Sequence, residues 1–306
     1  MNFELAIIGS GPAGYSAAIY AVRAGIKTLV LEKGFGGGLA AVSPNIENYA
    51  GFESISGIDL VEKMKKHAGK YTKINFNEEV LNITKNKDIF EIKTNNDEYK
   101  VKAIIFCTGT QYRKLNAPGE EELSGKGVSY CATCDGFFFK NKKVAVVGGG
   151  NSALIEAIYL KQIGCKEVYL IHRRDQLRAE KTYEKEAISK GVEILFNKVV
   201  EKINGKEKVE FLDLKDTKTD KISKLEIDGM FVSIGEEPQN NLAKKLDVDL
   251  NEKGFIIVDK QMRTNIKGVY AAGDITGGLR QVTTAVAEGA IAALSTTEVL
   301  GKKYPY

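Results

Sequence analysis

Two of the four cysteines in this 306-residue chain stand three positions apart, in the run Cys131-Ala132-Thr133-Cys134-Asp135. That spacing suits a dithiol that closes to a disulfide and reopens. In such exchange a thiolate attacks sulfur and the departing sulfur needs a proton. Asp135 is the acid/base candidate by elimination. Of the two histidines, His67 falls in an amphipathic helical pattern and His172 in a basic run. A turn aspartate ahead of Gly136 is the plainer reading of the same residue. Zinc would want a second pair of ligands, which Cys107, Cys165 and the two distant histidines do not offer, so no metal is expected. Cys107, in an apolar strand, reads as a small core residue, and Cys165, at a helix end, as incidental.

Two glycine fingerprints flank the dithiol. Gly9-Ser10-Gly11-Pro12-Ala13-Gly14 follows the apolar run Leu5–Ile8 and opens a helical pattern. Glycines there permit a tight turn and bring backbone N–H groups to a pyrophosphate. Glu32, eighteen residues after Gly14, stands where a carboxylate grips an adenosine ribose. The second fingerprint, Gly148-Gly149-Gly150-Asn151-Ser152-Ala153, begins fourteen residues after Cys134. Its following strand ends without an acid, in His172-Arg173-Arg174, with Arg178 one turn on. Arginine pairs with a 2′-phosphate that a carboxylate would repel, which favours NADPH over NADH.

The elements that position these residues repeat. The first unit reads as a strand over Phe3–Ile8, a helix over Gly11–Ala24 and a strand over Thr28–Leu31. A β meander over Val80–Val101 and a buried strand over Ala103–Cys107, closing at Thr108-Gly109, follow. A second copy has Val144–Val147, a helix over Ser152–Ile163 and a strand over Glu167–Ile171. A meander from Glu193 to Glu226 and a strand over Gly229–Ile234 complete it. Continuously apolar strands want both faces covered, as in parallel sheets. The tail, with a strand ending at Gly273-Asp274 and a helix over Thr284–Leu300, supplies what the first unit lacks. The expected fold class is α/β: two Rossmann-like nucleotide-binding domains, each in three ββα layers, the second inserted into the first. The crossings fall near Thr110–Ala117 and Gly235–Asp247.

Composition narrows the class. Hydrophobic residues make up 43%, charged residues 27%, and the net charge is +4 with bases and acids interleaved. A nucleic-acid surface wants a concentrated basic stripe, and the Lys198–Lys224 stretch reads as a solvated hairpin face. No apolar run reaches the ~20 residues of a membrane span. Phe3–Ile8 already reads as a core strand, leaving no room for a targeting segment, and the cysteine usage suits a reducing cytoplasm.

Taken together these motifs resemble the bacterial-type, low-molecular-weight thioredoxin reductases, flavin-dependent pyridine nucleotide–disulfide oxidoreductases. The resemblance is carried by the two fingerprints, Ile46-Glu47-Asn48-Tyr49 and Cys131–Gly136. His172–Asp175 with Arg178-Ala179, Ala271–Asp274 and Arg280-Gln281 complete it. It covers nearly the whole chain. It implies an FAD-binding domain over 1–115 and 247–306, and an NADPH-binding domain over 116–246 that carries the dithiol. In the first, Gly9, Gly11, Pro12, Ala13, Gly14 and Glu32 would be joined at FAD by Gly37, Gly38, Leu39, Asn48, Thr108 and Gly109. Gly273, Asp274, Arg280, Gln281 and Val282 would come from the tail. In the second, Gly148, Gly150, Asn151, Ser152 and Ala153 with His172, Arg173, Arg174 and Arg178 would hold NADPH. Cys134 would face the flavin, Cys131 would attack thioredoxin or a thioredoxin-like protein, Asp135 would carry the proton, and the protein would be a homodimer.

The chain departs from the family in two places, and at one of them Ala50 stands where proline is common. A glutamine usually stands near the flavin, whereas Gly36-Gly37-Gly38-Leu39-Ala40 puts Leu39 there, a more apolar surrounding. Ferredoxin or a deazaflavin as electron donor is therefore an alternative, and a flavin-binding redox sensor that does not turn over is another.

Overall fold

In a computed structural model the described residues are 3–43 and 45–304; residues 1, 2, 44, 305 and 306, which fall in the sequence-assigned FAD segments, lie outside them. The chain divides into two compact units, Met1–Gln111 with Glu237–Tyr306, and Tyr112–Glu236.

The first unit is built on a five-stranded parallel sheet in the order Val269–Ala271, Ala103–Phe106, Leu5–Ile8, Thr28–Leu31, Ile74–Asn75. Its inner strands are apolar but for the buried Thr28, because both faces are covered. Leu5, Ile7, Val30 and Ile105 pack under the helices Pro12–Arg23 and Val282–Val299. Ala6, Ile8, Leu29 and Phe106 face Ile83, Phe90 and Ile92 of the antiparallel meander Val80–Asn86, Ile89–Thr94, Glu98–Val101. These are the three ββα layers. Burying each such Leu, Ile or Phe stabilises the unit by about 1.5–3 kcal/mol. The strand and helix from the tail complete this sheet, although they lie more than half the chain away in sequence.

The second unit repeats the plan, its parallel sheet running Val192–Phe196, Glu167–His172, Lys143–Gly148, Gly229–Ser233, Val128–Ser129. Val144 and Val146 pack under the helix Asn151–Gln162. Ala145 and Val147 face the meander through Leu212 and Leu214. Here the sequence expectation needs correction. Val192–Phe196 is not the first meander strand but the edge of the parallel sheet, paired with Glu167–His172. The meander begins at Lys198, and Lys198–Asp216 and Lys224–Glu226 ion pairs line its face. The helix Lys181–Ser189, unforeseen in the sequence, makes the crossover a parallel pairing requires. The tail helix begins at Val282, two residues earlier than expected, because Gln281 and Thr284 form a reciprocal cap.

Candidate functional site

Why the first glycine turn must be glycine is plain from its surroundings. Gly9, at φ +99°, lies against the Cys107 carbonyl, and a methyl group on Gly14 would overlap the Gly9 carbonyl. The helix then starts at Gly11 with no side-chain cap and no acid in its first turn, so its N–H groups are left for an anion. Ser10 fixes Glu32: its backbone N–H donates to the carboxylate at 2.8 Å and its hydroxyl at 3.1 Å. Gly37 docks on the same turn by donating to the Ser10 carbonyl at 2.8 Å, and Gly38 lies next to Gly11, where a methyl group on Gly38 would come 3.6 Å from the Gly11 Cα. Gly273, at φ +82°, approaches Ala13, and Thr108 lies beside Gly9. Asn48 donates to the Gln281 side chain at 3.0 Å. The fold thus gathers around one glycine turn Glu32, Gly37, Gly38, Thr108 and Gly273, drawn from both segments of the first unit.

Other members of that set have structural partners of their own. Thr108 Oγ1 donates to the Gln239 carbonyl at 2.8 Å, and the Gly109 carbonyl accepts from Gln239 N–H at 3.0 Å. Leu39 lies in the short turn of helix Gly38–Val42, and Arg280 lies over the Phe255 ring at 5.8 Å. Glu288, which the sequence reading passed over, accepts from Gly273 N–H at 2.8 Å and lies 3.1 Å from Thr276 Oγ1. It thereby fastens the turn that presents Asp274. Burial raises its carboxyl above the usual range.

In the second unit a methyl group on Gly148 would meet Ala153, and one on Gly149 would overlap the His172 ring. The helix again starts uncapped by any side chain, at Gly150. The Arg178 and Ala179 N–H groups both donate to the Gly149 carbonyl, at 2.8 and 3.2 Å, so the arginine loop is clasped to the glycine turn. Arg173, Arg174 and Arg178 are exposed on it. His172 is different. Its ring is 6% exposed, with Nδ1 2.8 Å from the Gly148 carbonyl and Nε2 2.9 Å from that of Gln176. Both ring nitrogens thus face backbone carbonyls, one in the glycine turn and one in the arginine loop. Asn151 exchanges two hydrogen bonds with Glu180.

Cys131 and Cys134 are joined in a disulfide, Cα atoms 5.3 Å apart. Cys131 caps the one-turn helix Ala132–Asp135, which packs through Gly136 on Tyr159, Leu160 and Ile163. Ser129, also missed, ties the loop together. It accepts from Cys131 N–H at 3.1 Å and donates to Asp135 Oδ2 at 2.6 Å. Asp135 Oδ1 is buried and makes no hydrogen bond to any described residue. Burial raises the Asp135 carboxyl above the usual carboxylate range, against the pull of the Ser129 bond. Cys107 and Cys165 are buried free thiols, both pushed up by burial, Cys165 to about 11. Among the described residues no group of three or more His, Cys, Asp or Glu could hold a metal ion. No helix among them is long and apolar enough to cross a membrane.

A disulfide beside one of two glycine-turn α/β units is the equipment of a nucleotide-dependent disulfide oxidoreductase. The family model for pyridine nucleotide-disulphide oxidoreductases matches residues 3–289. The thioredoxin reductase of Bacillus subtilis (strain 168) is 42% identical over 296 residues, 96% of this chain and 93% of that protein. That of Treponema pallidum (strain Nichols) is 41% identical over 95% of both. The crystal structure of thioredoxin reductase from Streptococcus pyogenes MGAS5005 superposes with a TM-score of 0.94 at 40% identity, covering 98% of this chain and 99% of that one. The chain belongs to the pyridine nucleotide-disulphide oxidoreductases and, among them, to the low-molecular-weight thioredoxin reductases; it is an oxidoreductase enzyme. Membership implies the use of FAD and a nicotinamide nucleotide.

Proposed function

We propose that this enzyme passes an electron pair from NADPH, by way of FAD, to the Cys131–Cys134 disulfide and on to the disulfide of thioredoxin or a thioredoxin-like protein. The balance is one NADPH and one proton consumed for two thiols formed on the partner. FAD and NADPH supply the hydride and the electron pair; everything else falls to the chain's own residues. The Gly9–Gly14 turn, Glu32, Gly37, Gly38 and the Gly273-Asp274 turn hold the first nucleotide. Gly148–Ala153 and the arginine loop hold the second.

Within the dithiol, Cys134 receives the electron pair and Cys131 attacks the partner's disulfide. Asp135 shuttles the proton, and the burial that raises its carboxyl above the usual carboxylate range supports that role. The dithiol and the second fingerprint belong to one unit and Glu32 to the other. Nicotinamide and disulfide therefore ride on the same body and take turns at one flavin, so the second unit turns about the two crossings between half-reactions. The protein works as a homodimer in the cytoplasm.

The single observation that carries the NADPH reading is the exposed trio Arg173, Arg174 and Arg178, clasped to the glycine turn through Gly149. Anaerobic titration of the holoenzyme, following the visible flavin band, tests it. Bleaching is expected to be fast with NADPH and slow with NADH. In Arg173→Gln/Arg174→Gln that preference falls by about 10–100-fold, the loss of one or two charged hydrogen-bonded contacts. A flavin that dithionite reduces but neither nucleotide bleaches moves the donor to ferredoxin or a deazaflavin.

A further inference from the structure

The helix carrying the dithiol is too short to place itself. Ala132–Asp135 has four residues, where an isolated helix needs about a dozen or more, so Cys131 is positioned by what flanks it: the packing at Gly136 behind it and the chain ahead of it. Upstream, the two-residue strand Val128–Ser129 pairs with Met230 and Phe231 at the sheet edge, and Val128 also bridges Ser124. Between that strand and Cys131 stands one residue, Tyr130. Its hydroxyl donates to Glu120 Oε1 at 2.8 Å, and its ring stacks on Tyr112 with centroids 5.3 Å apart and planes 13° from parallel. Glu120 is 2% exposed. The same carboxylate accepts the backbone N–H of Leu115 at 3.0 Å and of Asn116 at 2.7 Å. Tyr112, Leu115 and Asn116 are where the chain enters the second unit. A buried carboxylate held by three donors is costly to disturb. Burial and Glu120 together push the Tyr130 phenol well above its usual range, so it stays a donor at neutral pH.

We infer that Glu120 and Tyr130 are positioning residues for the redox dithiol. They fasten the backbone just ahead of Cys131 to the segment where the second unit begins, so that the sulfur pair follows that segment without play. Neither residue is assigned to either nucleotide. The kinetic consequence rests on the two half-reactions proposed above. Disturbing the anchor slows the steps at sulfur and spares the hydride step.

Three substitutions separate the parts. Tyr130→Phe keeps the ring and removes the hydroxyl, Tyr130→Ala removes both, and Glu120→Gln keeps the shape without the charge. In anaerobic stopped-flow on the holoenzyme, NADPH bleaching in Tyr130→Phe is expected within about twofold of wild type, with KM for NADPH unmoved. Reoxidation of the flavin by the disulfide, and kcat with thioredoxin, are expected to fall about tenfold, the rate equivalent of one charged hydrogen bond. A second readout needs neither nucleotide nor partner. After reduction with dithiothreitol, the rate of Cys131 alkylation by iodoacetamide, followed by mass spectrometry, is expected to change at least about threefold at an unchanged melting temperature.

Wild-type rates in both readouts would overturn the inference, as would a uniform loss of every step that tracks falling melting temperature across the three variants. Should Tyr130→Phe not fold, Glu120→Gln carries the same readouts. A wild-type holoenzyme that NADPH does not bleach would defeat the proposed function, while the alkylation comparison would still decide the anchor.

Discussion

At the scale of single residues the chemistry turns on where one proton is kept. Asp135 is raised by burial, so the fold prefers its protonated form. That contribution to stability is complete below the pKa of an unfolded aspartate and lost as pH rises through the higher folded value. Asp135→Asn imitates the neutral form. Its melting temperature at pH 7 is expected to equal or exceed that of the parent, while thioredoxin-linked turnover falls about 100-fold or more. Thermal melts and steady-state assays check the two halves, and turnover within a few-fold of wild type would remove Asp135 from the proton path. The Cys-x-x-Cys-Asp run was readable as redox chemistry because thiol exchange restricts which residues can stand there. Ser129, which orients both Cys131 and Asp135, gave no such signal, since a lone serine before a cysteine is common to many loops.

Elements carry the next level of specificity, through contacts between a turn and the loop beside it. In the second unit the Gly149 carbonyl holds the Arg178 loop, and the His172 ring fills the space a Gly149 side chain would need. Gly149→Ala therefore displaces His172, and with it the loop bearing Arg173 and Arg174. The expected outcome is a rise of about tenfold or more in KM for NADPH, with KM for thioredoxin unchanged, a split that steady-state kinetics reads directly. Strand and helix positions around both fingerprints were legible because a buried parallel strand is apolar without interruption and a glycine turn opens each helix. Val192–Phe196 was misread for a physical reason. At the edge of its sheet it is only partly buried and carries the polar Glu193, so its sequence does not distinguish parallel from antiparallel neighbours. His172 reads in sequence as one more cation beside the arginines, and only the tertiary structure sets a backbone carbonyl against each of its ring nitrogens.

For the whole molecule the consequence lies in the connectivity. The chain leaves the first unit near Gln111 and returns near Glu237, so the second unit hangs on two crossings. If nicotinamide and disulfide must alternate at one flavin, linking the two units covalently is expected to preserve at most one half-reaction and to abolish turnover with thioredoxin. Cysteine-directed cross-linking between engineered surface positions, with single-turnover and steady-state assays on the verified product, checks it. Undiminished turnover in the linked protein would rule out alternation by domain movement.

Much of this was present in the linear chain. The two fingerprints, the dithiol, the acid after one strand and the arginines after the other announce themselves through local spacing, because each needs a particular residue type within a turn or two of backbone. Tertiary structure decided what depends on distant segments meeting. It brought the Val269–Ala271 strand beside Ala103–Phe106, and Gly273 against Ala13. It joined Asn48 to Gln281 and set Glu120 between Tyr130 and the entering chain. Such pairings leave no periodic trace in sequence, since the energy that fixes them comes from burying groups that only folding places side by side.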